Sequence, residues 1–388
     1  MSRPLDGTRV LDLTRLLPGG YATLLLADLG ADVVKVEEPG RGDYIRWTPP
    51  LVEGESAAHR ALNRGKRSVA LNLKDPGGVE LLRRLAGGFD VLVESFRPGV
   101  TDRLGVGPAA LAEANPRLVY CAITGYGQDG PYRDRVGHDV NYIGYSGALD
   151  LMGVDGGPPV VPAVQVGDIA GGGMAAVIGI LAALLERGRT GRGRFVDTAM
   201  TDGVASWLSI HAGAFLQTGT EPRRGRMPLS GAYACYRVYE CADGKWVTVG
   251  ALEPQFWTAL CRALELPDLV HTQFGPPDQQ RKMAARLSEA FAQRPRDEWL
   301  EALAPIEACV GPVNSLAEAV EDPQVVHRGL VAEVEGAPVG PASPFVMDGE
   351  RLQRLTPAPG LGEHTNEVLA EMGVTNDELS DLRSRGVI

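Results

Sequence analysis

The sequence predicts a doubly wound α/β domain joined to a smaller α+β domain, and three observations indicate this fold class. Short apolar strand-like segments alternate with helical segments over roughly the first 130 residues. A Gly/Pro-rich loop and a long apolar helical segment follow them. Near residue 222 the pattern changes to an alternating hairpin and then to amphipathic helices. A chain of 388 residues is long enough for two domains.

The amino-terminal part of the chain reads as successive strand–helix–strand units. Strands are predicted in TRVLDLT, ADVVKVE, RSVALNL, FDVLVESF and RLVYCAITGYG, and helices in PGGYATLLLADLG, PGGVELLRRLAG and GPAALAEANP. Such units form right-handed crossovers, so the sheet is predicted to be parallel. The tract IAGGGMAAVIGILAALLERGRTG predicts a buried helix, whose apolar run is too short to span a bilayer. Helix is predicted to continue through FVDTAMTDGVASWLSIHAGAFLQTG.

The smaller domain is predicted to span residues 222–320. GAYACYRVYECADGKWVTVGAL alternates in polarity and contains the turn signal Asp243–Gly244, which predicts a hairpin. Three amphipathic helices are predicted after it, in PQFWTALCRALEL, RKMAARLSEAFAQR and RDEWLEALAPI. The polar helix pair predicted in LGEHTNEVLAEMGVTNDELSDLRSRG is expected to return to the large domain. Residues 1–221 and 321–388 would then form that domain.

Composition excludes several classes of protein. The net charge of −11 argues against nucleic acid or an anionic membrane as the main partner. The five cysteines contain no C-x-x-C pair, which indicates neither a disulfide framework nor a zinc site. The amino-terminal MSRPLDGTRV lacks the charged start and apolar run of a signal peptide. We therefore expect a cytoplasmic protein.

Several motifs are rejected on spacing. Gly125, Gly127 and Gly130 match G-x-G-x-x-G, but no helix opens after them, so they predict a turn. GYSGA lacks the spacing of a serine nucleophile elbow, and no H-E-x-x-H occurs, so metal binding is not predicted. His138 and Asp139 are adjacent and should point to opposite faces.

Asp168 precedes IAGGG at the expected start of the long helix, and two interpretations are open. An aspartate there is a favoured N-cap. The same position would also hold a functional carboxylate at the positive end of the helix dipole. The glycines Gly171, Gly172 and Gly173 would then let a ligand approach the backbone, whose N–H groups would stabilise an oxyanion.

Glu253 and two basic stretches are also open to two interpretations. Glu253 precedes Pro254 at a strand–helix junction, which is typical of a cap but also suits a catalytic carboxylate. The basic stretches are either solvated surfaces or the phosphate-binding side of a nucleotide-like ligand. Their members are Arg60, Arg64, Lys66 and Arg67 in HRALNRGKRS, and Arg97 and Arg103 in RPGVTDR.

Over essentially the whole chain, the sequence resembles the family III coenzyme A transferases, which include the α-methylacyl-CoA racemases as close relatives. The resemblance rests on PLDGTRVLDL, LLLADLGADVVKVE, NRGKRSVALNLK, VLVESFRPGV, NPRLVYCAITGYGQDGP, GHDVNYI, VGDIAGGGMAAVIGILAAL, RTGRGRFVDTAM, GALEPQFW and LGEHTNEVL taken together. It implies a Rossmann-like large domain that binds coenzyme A, in an interlocked homodimer. The small domain would close the site of the partner chain.

The resemblance also implies roles for individual residues. Asp168 would be the acyl-carrying nucleophile of a transferase or one of two acid/base groups of a racemase. His138 would be the second acid/base group, and Glu253 would pair with it. Coenzyme A, as part of the substrate and with no other cofactor, would meet Leu71, Asn72, Leu73 and Lys74 at its nucleotide end and Arg97 and Arg103 at its phosphates. The thioester end would meet Gly137, Asp139, Val140, Asn141 and Tyr142.

The resemblance favours a racemase that interconverts 2-methyl-branched acyl-CoA epimers, with a coenzyme A transferase as the alternative. GHDVNY and GALEPQF match the racemase pattern, and Leu17 stands where transferases of the formyl-CoA type carry glutamine. Two positions depart from that pattern. Racemases usually have LDGGAPFY where this chain has LSGAYACY, residues 229–236, and they tend to have arginine in place of Glu38.

Overall fold

A computed structural model describes residues 3–388, which form two compact units. The first contains residues 3–146, 162–208 and 323–388, and the second contains residues 147–161 and 209–322. The boundaries predicted from sequence assigned 147–161 and 209–221 to the large domain, whereas the structure groups both segments with the second unit.

The first unit is built on a six-stranded parallel sheet. Its strands are β1 (Arg9–Leu13), β2 (Asp32–Glu37), β3 (Arg67–Ala70), β4 (Val91–Glu94), β5 (Val119–Thr124) and β6 (Phe195–Ala199). They lie in the order β3-β2-β1-β4-β5-β6. The chain therefore moves outward from β1 to one edge and then from β4 to the other, which leaves a topological switch point between β1 and β4.

Helices cover both faces of this sheet. They are α1 (Leu16–Asp28), α2 (Ala57–Asn63), α3 (Pro76–Gly87), α4 (Val100–Leu104), α5 (Pro108–Ala114), α6 (Asp139–Tyr145), a π-helical segment (Gly167–Met174) continuing into α7 (Ala175–Thr190), and α8 (Met200–Trp207). Alternate residues of one strand enter different cores: Leu11 packs in the cluster that contains Leu82, and Val10 in the cluster that contains Ile180. This is the period-two alternation of a strand buried on both faces.

Each strand and helix predicted for the first 130 or so residues is present, but the helix predicted through FVDTAMTDGVASW is wrong at its start. Phe195–Ala199 is a strand that pairs in parallel with β5, with Tyr120 opposite Phe195 and Thr124 opposite Ala199. The helix Met200–Trp207 begins immediately afterwards. Because no turn residues separate strand from helix, the sequence pattern hides this boundary.

The long apolar helix is buried on one face only. Ala176, Val177 and Ile180 pack in the sheet core, whereas Ile178 is 67% exposed and Leu185 is 72% exposed. With its π-helical start it spans Gly167–Thr190 and, within residues 3–388, is long and apolar enough by composition to cross a membrane. Its buried face packs against the sheet of the first unit.

Arg64 and Lys66, the two central members of the basic stretch HRALNRGKRS, form neither a solvated surface nor a phosphate site. Arg64 is buried and donates to both carboxylate oxygens of Asp28, at 2.5 and 2.8 Å. Lys66 is also buried and lies 3.3 Å from Asp12. Since charges are buried only with partners, both residues serve the structure.

The second unit has a three-stranded antiparallel sheet in the order β9-β8-β7. Its strands are β7 (Tyr236–Glu240), β8 (Trp246–Gly250) and β9 (Val310–Pro312), and its helices are the short Ala148–Leu151, α9 (Ser209–Thr218), α10 (Pro254–Ala263), α11 (Pro277–Phe291), α12 (Arg296–Leu303) and α13 (Leu316–Glu321). The hairpin and the three helices predicted after it are confirmed. Trp257, Leu287 and Phe291 centre its core.

The carboxyl-terminal segment returns to the first unit, as predicted. It contains β10 (Val331–Val334), β11 (Ala337–Pro341), α14 (Pro323–His327), α15 (Thr365–Glu371) and α16 (Asn376–Ser384). Val368 and Leu382 pack in the same core cluster as Leu82 of α3. Short elements complete the chain: the 3₁₀ turns Tyr44–Trp47, Pro228–Ser230 and Pro267–Thr272, and the two-residue strands Leu51–Val52, Glu55–Ser56, Val346–Met347 and Glu350–Arg351.

Candidate active site

A cleft of about 610 Å³ opens at the carboxyl ends of β1, β4 and β5. The loops that follow these three strands form its floor, on both sides of the switch point, where doubly wound sheets bind their ligands. Its lining consists of Arg15, Leu16, Pro18, Ser95, Phe96, Arg97, Pro98, Ile123, Thr124, Gly125, Tyr126, Arg133, Arg135, Val136, Gly137, His138, Asn141, Tyr142, Asp168 and Met200.

Asp168 lines this cleft, and its pKa is raised above the usual value of an aspartate. Burial is the largest cause that raises its pKa to about 6, the nearby Asp139 carboxylate adds to the rise, and His138 opposes it. The Asp168 backbone N–H donates to Oδ1 of Asp139 at 3.0 Å. A carboxyl group with a pKa near neutrality is suited to both accepting and giving a proton.

The helix start around Asp168 differs from the sequence interpretation in two respects. The helical turn begins at Gly167, so Asp168 lies in the first turn rather than at the N-cap. The three glycines that follow are buried against protein rather than open to a ligand. A Cβ on Gly171 would lie 2.7 Å from the Met200 carbonyl oxygen, and one on Gly173 would lie 2.9 Å from that of Pro18. They permit close packing of helices.

His138 lines the same cleft at the start of α6. Its backbone N–H donates to Oδ1 of Asn141 at 3.0 Å. Asp139 is buried and His138 is exposed, and because Asp139 begins a helix, the alternation expected of an extended segment does not apply.

Tyrosine rings form one wall of the cleft. Tyr142 is buried and packs edge-to-face on Tyr126, with ring centroids 5.3 Å apart. Its hydroxyl donates to the carbonyl of Gly137. Gly125 has no room for a side chain, because a Cβ there would lie 2.3 Å from the Tyr142 ring. Gly125 begins the turn that was predicted after β5, and that prediction is confirmed.

A smaller cavity of about 230 Å³ adjoins the cleft and shares Arg15 and Phe96 with it. Four consecutive residues predicted to meet the nucleotide end line this cavity: Leu71, Asn72, Leu73 and Lys74. Its remaining wall is mainly apolar, which suits a planar base. The Lys74 ammonium lies 2.7 Å from Oε1 of Glu38, at the end of β2.

Four predicted site residues are outside the lining of both cavities: Arg103, Asp139, Val140 and Glu253. Arg103 is exposed in the last turn of α4, and Val140 is 38% exposed in α6. Glu253 belongs to the second unit, where it occupies the N-cap position of α10 but makes no side-chain cap hydrogen bond. Its position at the helix start is as predicted, whereas a capping role for its side chain is not observed.

Sequence reasoning missed three arginines that line the cleft. Arg15 follows β1, and its guanidinium lies 5.8 Å from the Phe96 ring centroid. Arg133 and Arg135 come from the loop before α6, and the Arg135 guanidinium stacks 4.1 Å from the Tyr132 ring centroid. The carboxyl-end rule for parallel strands would have identified Arg15. No spacing pattern marks the other two.

Asp168 is expected to destabilise the fold at neutral pH. Because its pKa is about 6 in the folded protein and 3.8 for an unperturbed aspartate, the folded state binds more protons between these values. The free energy of unfolding therefore falls as pH rises through this window. Asp168→Asn should be more stable than wild type by about 1–2 kcal/mol at pH 8, after a discount for partial exposure, but not at pH 3.5. Urea titrations at both pH values measure this difference, and an equal effect at both would contradict it.

Comparison with known proteins identifies the family of this chain. A family model described as CoA-transferase family III matches residues 5–365. The chain belongs to this family. Human succinyl-CoA:glutarate CoA-transferase is 36% identical over 397 residues, covering 100% of this chain and 90% of the relative. Human alpha-methylacyl-CoA racemase is 36% identical over 391 residues, covering 99% and 97%.

A solved structure shares the fold over nearly the whole chain. The crystal structure of a CaiB/BaiF family protein from Brucella suis superposes with a TM-score of 0.85 at 34% identity, covering 96% of this chain and 100% of that one. The parallel α/β architecture of this family III member is therefore that of its relatives. The two human relatives are equally similar in sequence, so identity alone does not distinguish racemase from transferase chemistry.

No group of three or more His, Cys, Asp or Glu side chains within residues 3–388 is arranged to hold a metal ion.

Proposed function

We propose that this family III protein is an α-methylacyl-CoA racemase, which interconverts (R)- and (S)-2-methyl-branched acyl-CoA thioesters. The observation that carries the proposal is that one cleft holds both His138 and Asp168, and that the Asp168 pKa is about 6. Epimerisation needs two groups that exchange protons with opposite faces of one carbon. These two side chains come from separate elements, α6 and the π-helical segment, and can approach such a carbon from different directions.

The chemistry follows from the weak acidity of the proton next to a thioester. In one direction His138 removes this proton as a base, and Asp168 in its protonated form delivers another to the opposite face. The thioester carbonyl becomes an enolate between the two transfers and recovers its double bond when the new C–H bond forms. In the reverse direction the two residues exchange roles. A histidine suits both roles because it titrates near neutral pH.

The cleft and its neighbouring cavity suit the two ends of a coenzyme A thioester. The adenine would occupy the apolar cavity beside Leu71 and Leu73, and Arg97 would meet a phosphate from the cleft. Gly137, Asn141 and Tyr142 line the cleft beside His138, where the thioester would lie. Arg15 lines both cavities and would contact the ligand between its ends. The substrate itself supplies coenzyme A, so no separate cofactor is proposed.

We also propose an interlocked homodimer in which Glu253 of one chain orients His138 of the other. Two features of the described chain support an additional protein contact. Ile178 and Leu185 of α7 are 67% and 72% exposed, and in the second unit Ile210 and Leu216 of α9 are 71% and 79% exposed. Large apolar side chains grouped on a helix are typical of covered surfaces. A cytoplasmic location, without nucleic acid or membrane partners, remains part of the proposal.

A coenzyme A transferase is the second candidate function. The 36% identity to human succinyl-CoA:glutarate CoA-transferase over the entire chain favours it. In that reaction the Asp168 carboxylate would attack the thioester carbonyl, the C–S bond would break, and coenzyme A would leave as a thiolate. An acyl-aspartate anhydride would result, and an acceptor carboxylate would be needed to complete turnover.

Deuterium exchange separates the two functions. A single epimer of a 2-methylacyl-CoA is incubated with the protein in D₂O, with no added carboxylic acid. A racemase is expected to introduce solvent deuterium at the α-carbon and to bring the epimers to equilibrium, as followed by mass spectrometry and chiral chromatography of the released acid.

The contrary result is equally specific. If neither exchange nor epimerisation occurs, and turnover appears only with an acceptor acid, the racemase proposal is wrong. Trapping with hydroxylamine would then detect an acyl group on Asp168, which a racemase does not form.

A further inference from the structure

The rim of the small cavity carries an ion pair at the end of the second strand. Glu38 directly follows β2, and its Oε1 lies 2.7 Å from the ammonium of Lys74, which follows β3. Both residues line the cavity. Throughout residues 3–388, the second carboxylate oxygen of Glu38 accepts no hydrogen bond from a side chain or backbone group.

The neighbouring Glu37 is not available to a ligand in the same way. It is buried and accepts hydrogen bonds from the Arg46 guanidinium at 2.8 and 2.6 Å, from the Ser68 hydroxyl at 2.7 Å and from the Asp43 N–H at 3.0 Å. Arg46, Lys35 and Ser68 hold the pKa of Glu37 at about 2 despite its burial. Glu37 therefore has a structural role, because protein groups occupy its carboxylate. The Glu38 side chain is 32% exposed and faces the cavity.

Glu38 occupies a position in the sheet that contacts the ribose of bound nucleotides in other proteins with this strand order. In doubly wound sheets of this strand order, a carboxylate at the end of the second strand accepts hydrogen bonds from ribose hydroxyls, and a basic residue nearby accommodates a ribose phosphate. The adenosine of coenzyme A carries a phosphate on its ribose 3′ oxygen. Such a phosphate adds about −1.5 to −2 charges at pH 7. It would have to compete with Glu38 for Lys74.

We infer that Glu38 is a specificity-determining residue that contacts free ribose hydroxyls and removes most of the preference for a 3′-phosphate. This inference rests on the proposed acyl-CoA function and defines its substrate class further. Thioesters of 3′-dephospho-coenzyme A should bind about as well as those of coenzyme A. The attraction of Lys74 for the phosphate and the repulsion by Glu38 nearly cancel, because both charges lie on the same rim.

Binding measurements on the full-length protein test this inference. Isothermal titration calorimetry gives Kd for coenzyme A and for 3′-dephospho-coenzyme A with wild type, Glu38→Gln and Glu80→Gln. Glu80 is exposed on α3, away from both cavities, and its replacement changes net charge by the same amount. We expect a ratio within about threefold in wild type and in Glu80→Gln, and about tenfold in favour of coenzyme A in Glu38→Gln.

A second substitution tests the other half of the pair. Lys74→Met leaves Glu38 alone at the rim, so coenzyme A should lose about tenfold more affinity than the dephospho form. A wild-type preference for coenzyme A above tenfold that Glu38→Gln leaves unchanged would overturn the inference. So would a failure of both ligands to bind.

These measurements are independent of the proton-transfer chemistry. If the ratio changes as expected but no deuterium exchange occurs, the proposed racemase function fails while the role of Glu38 stands. If exchange occurs and the binding ratio is the same in wild type and Glu38→Gln, only the role of Glu38 fails.

Discussion

Asp168→Asn should lower the rate of α-proton exchange by about three orders of magnitude, within the range that a positioned acid/base group contributes. The amide has nearly the same shape as the carboxyl group but neither accepts nor gives a proton at neutral pH. The carboxylate accepts no hydrogen bond from a side chain within residues 3–388, so the substitution breaks none. Exchange is measured in D₂O by mass spectrometry with a single-epimer substrate.

The control for this result is Asp202→Asn. Asp202 also lies in the first turn of a helix, but it lines neither cavity. It should retain exchange within about twofold. Because Asp168→Asn is expected to be more stable than wild type at pH 8, unfolding cannot account for its loss of activity. A variant that bound coenzyme A normally and still exchanged at the wild-type rate would remove Asp168 from the mechanism.

His138→Gln has the second largest expected effect and distinguishes the two candidate functions. In the racemase, loss of the imidazole should reduce exchange by a factor of about 10² to 10⁴. In the transferase, Asp168 alone forms the covalent intermediate, and acyl transfer to an acceptor acid should fall far less. The measurement is therefore exchange without acceptor and thioester transfer with acceptor, on the same preparation.

His138→Gln keeps the hydrogen bond from the His138 backbone N–H to the Asn141 side chain, and glutamine retains a polar side chain at the start of α6. His271→Gln serves as the control, because His271 is exposed and lies in the second unit. Full exchange activity in His138→Gln would mean that the two-base scheme is wrong, whatever the result for Asp168.

The Glu38–Lys74 pair is an example of a sequence difference whose consequence depends on the residues around it in the structure. Glu38 is one of the two places where the sequence departs from the racemase pattern that it otherwise resembles. The structure adds that Glu38 engages Lys74, one of the residues predicted to meet the nucleotide. Because the carboxyl ends of β2 and β3 lie side by side, a substitution at position 38 also changes the partner of Lys74.

Most of the fold was predictable because the signals are local. Strands buried on both faces form short continuous apolar runs, and the hairpin of the second unit alternates around Asp243–Gly244. The same holds for part of the candidate site. Asp168 stands out as a carboxylate at a predicted helix start, whereas His138 was assigned a role only through the resemblance to the family. Patterns of this kind involve residues that are close together in the sequence, so they can be recognised without a structure.

Other features depended on contacts between distant parts of the chain, which only the tertiary structure decided. Phe195–Ala199 is a strand because it completes the sheet beside β5, although a helix follows without a break. Arg64 is buried because Asp28, 36 residues earlier, neutralises it. The arginines of the cleft come from loops on the two sides of the switch point. Local sequence determined which segments are strands and helices and which residues can carry protons. The pairing of distant charges and the convergence of loops depend on long-range packing, which no local pattern encodes.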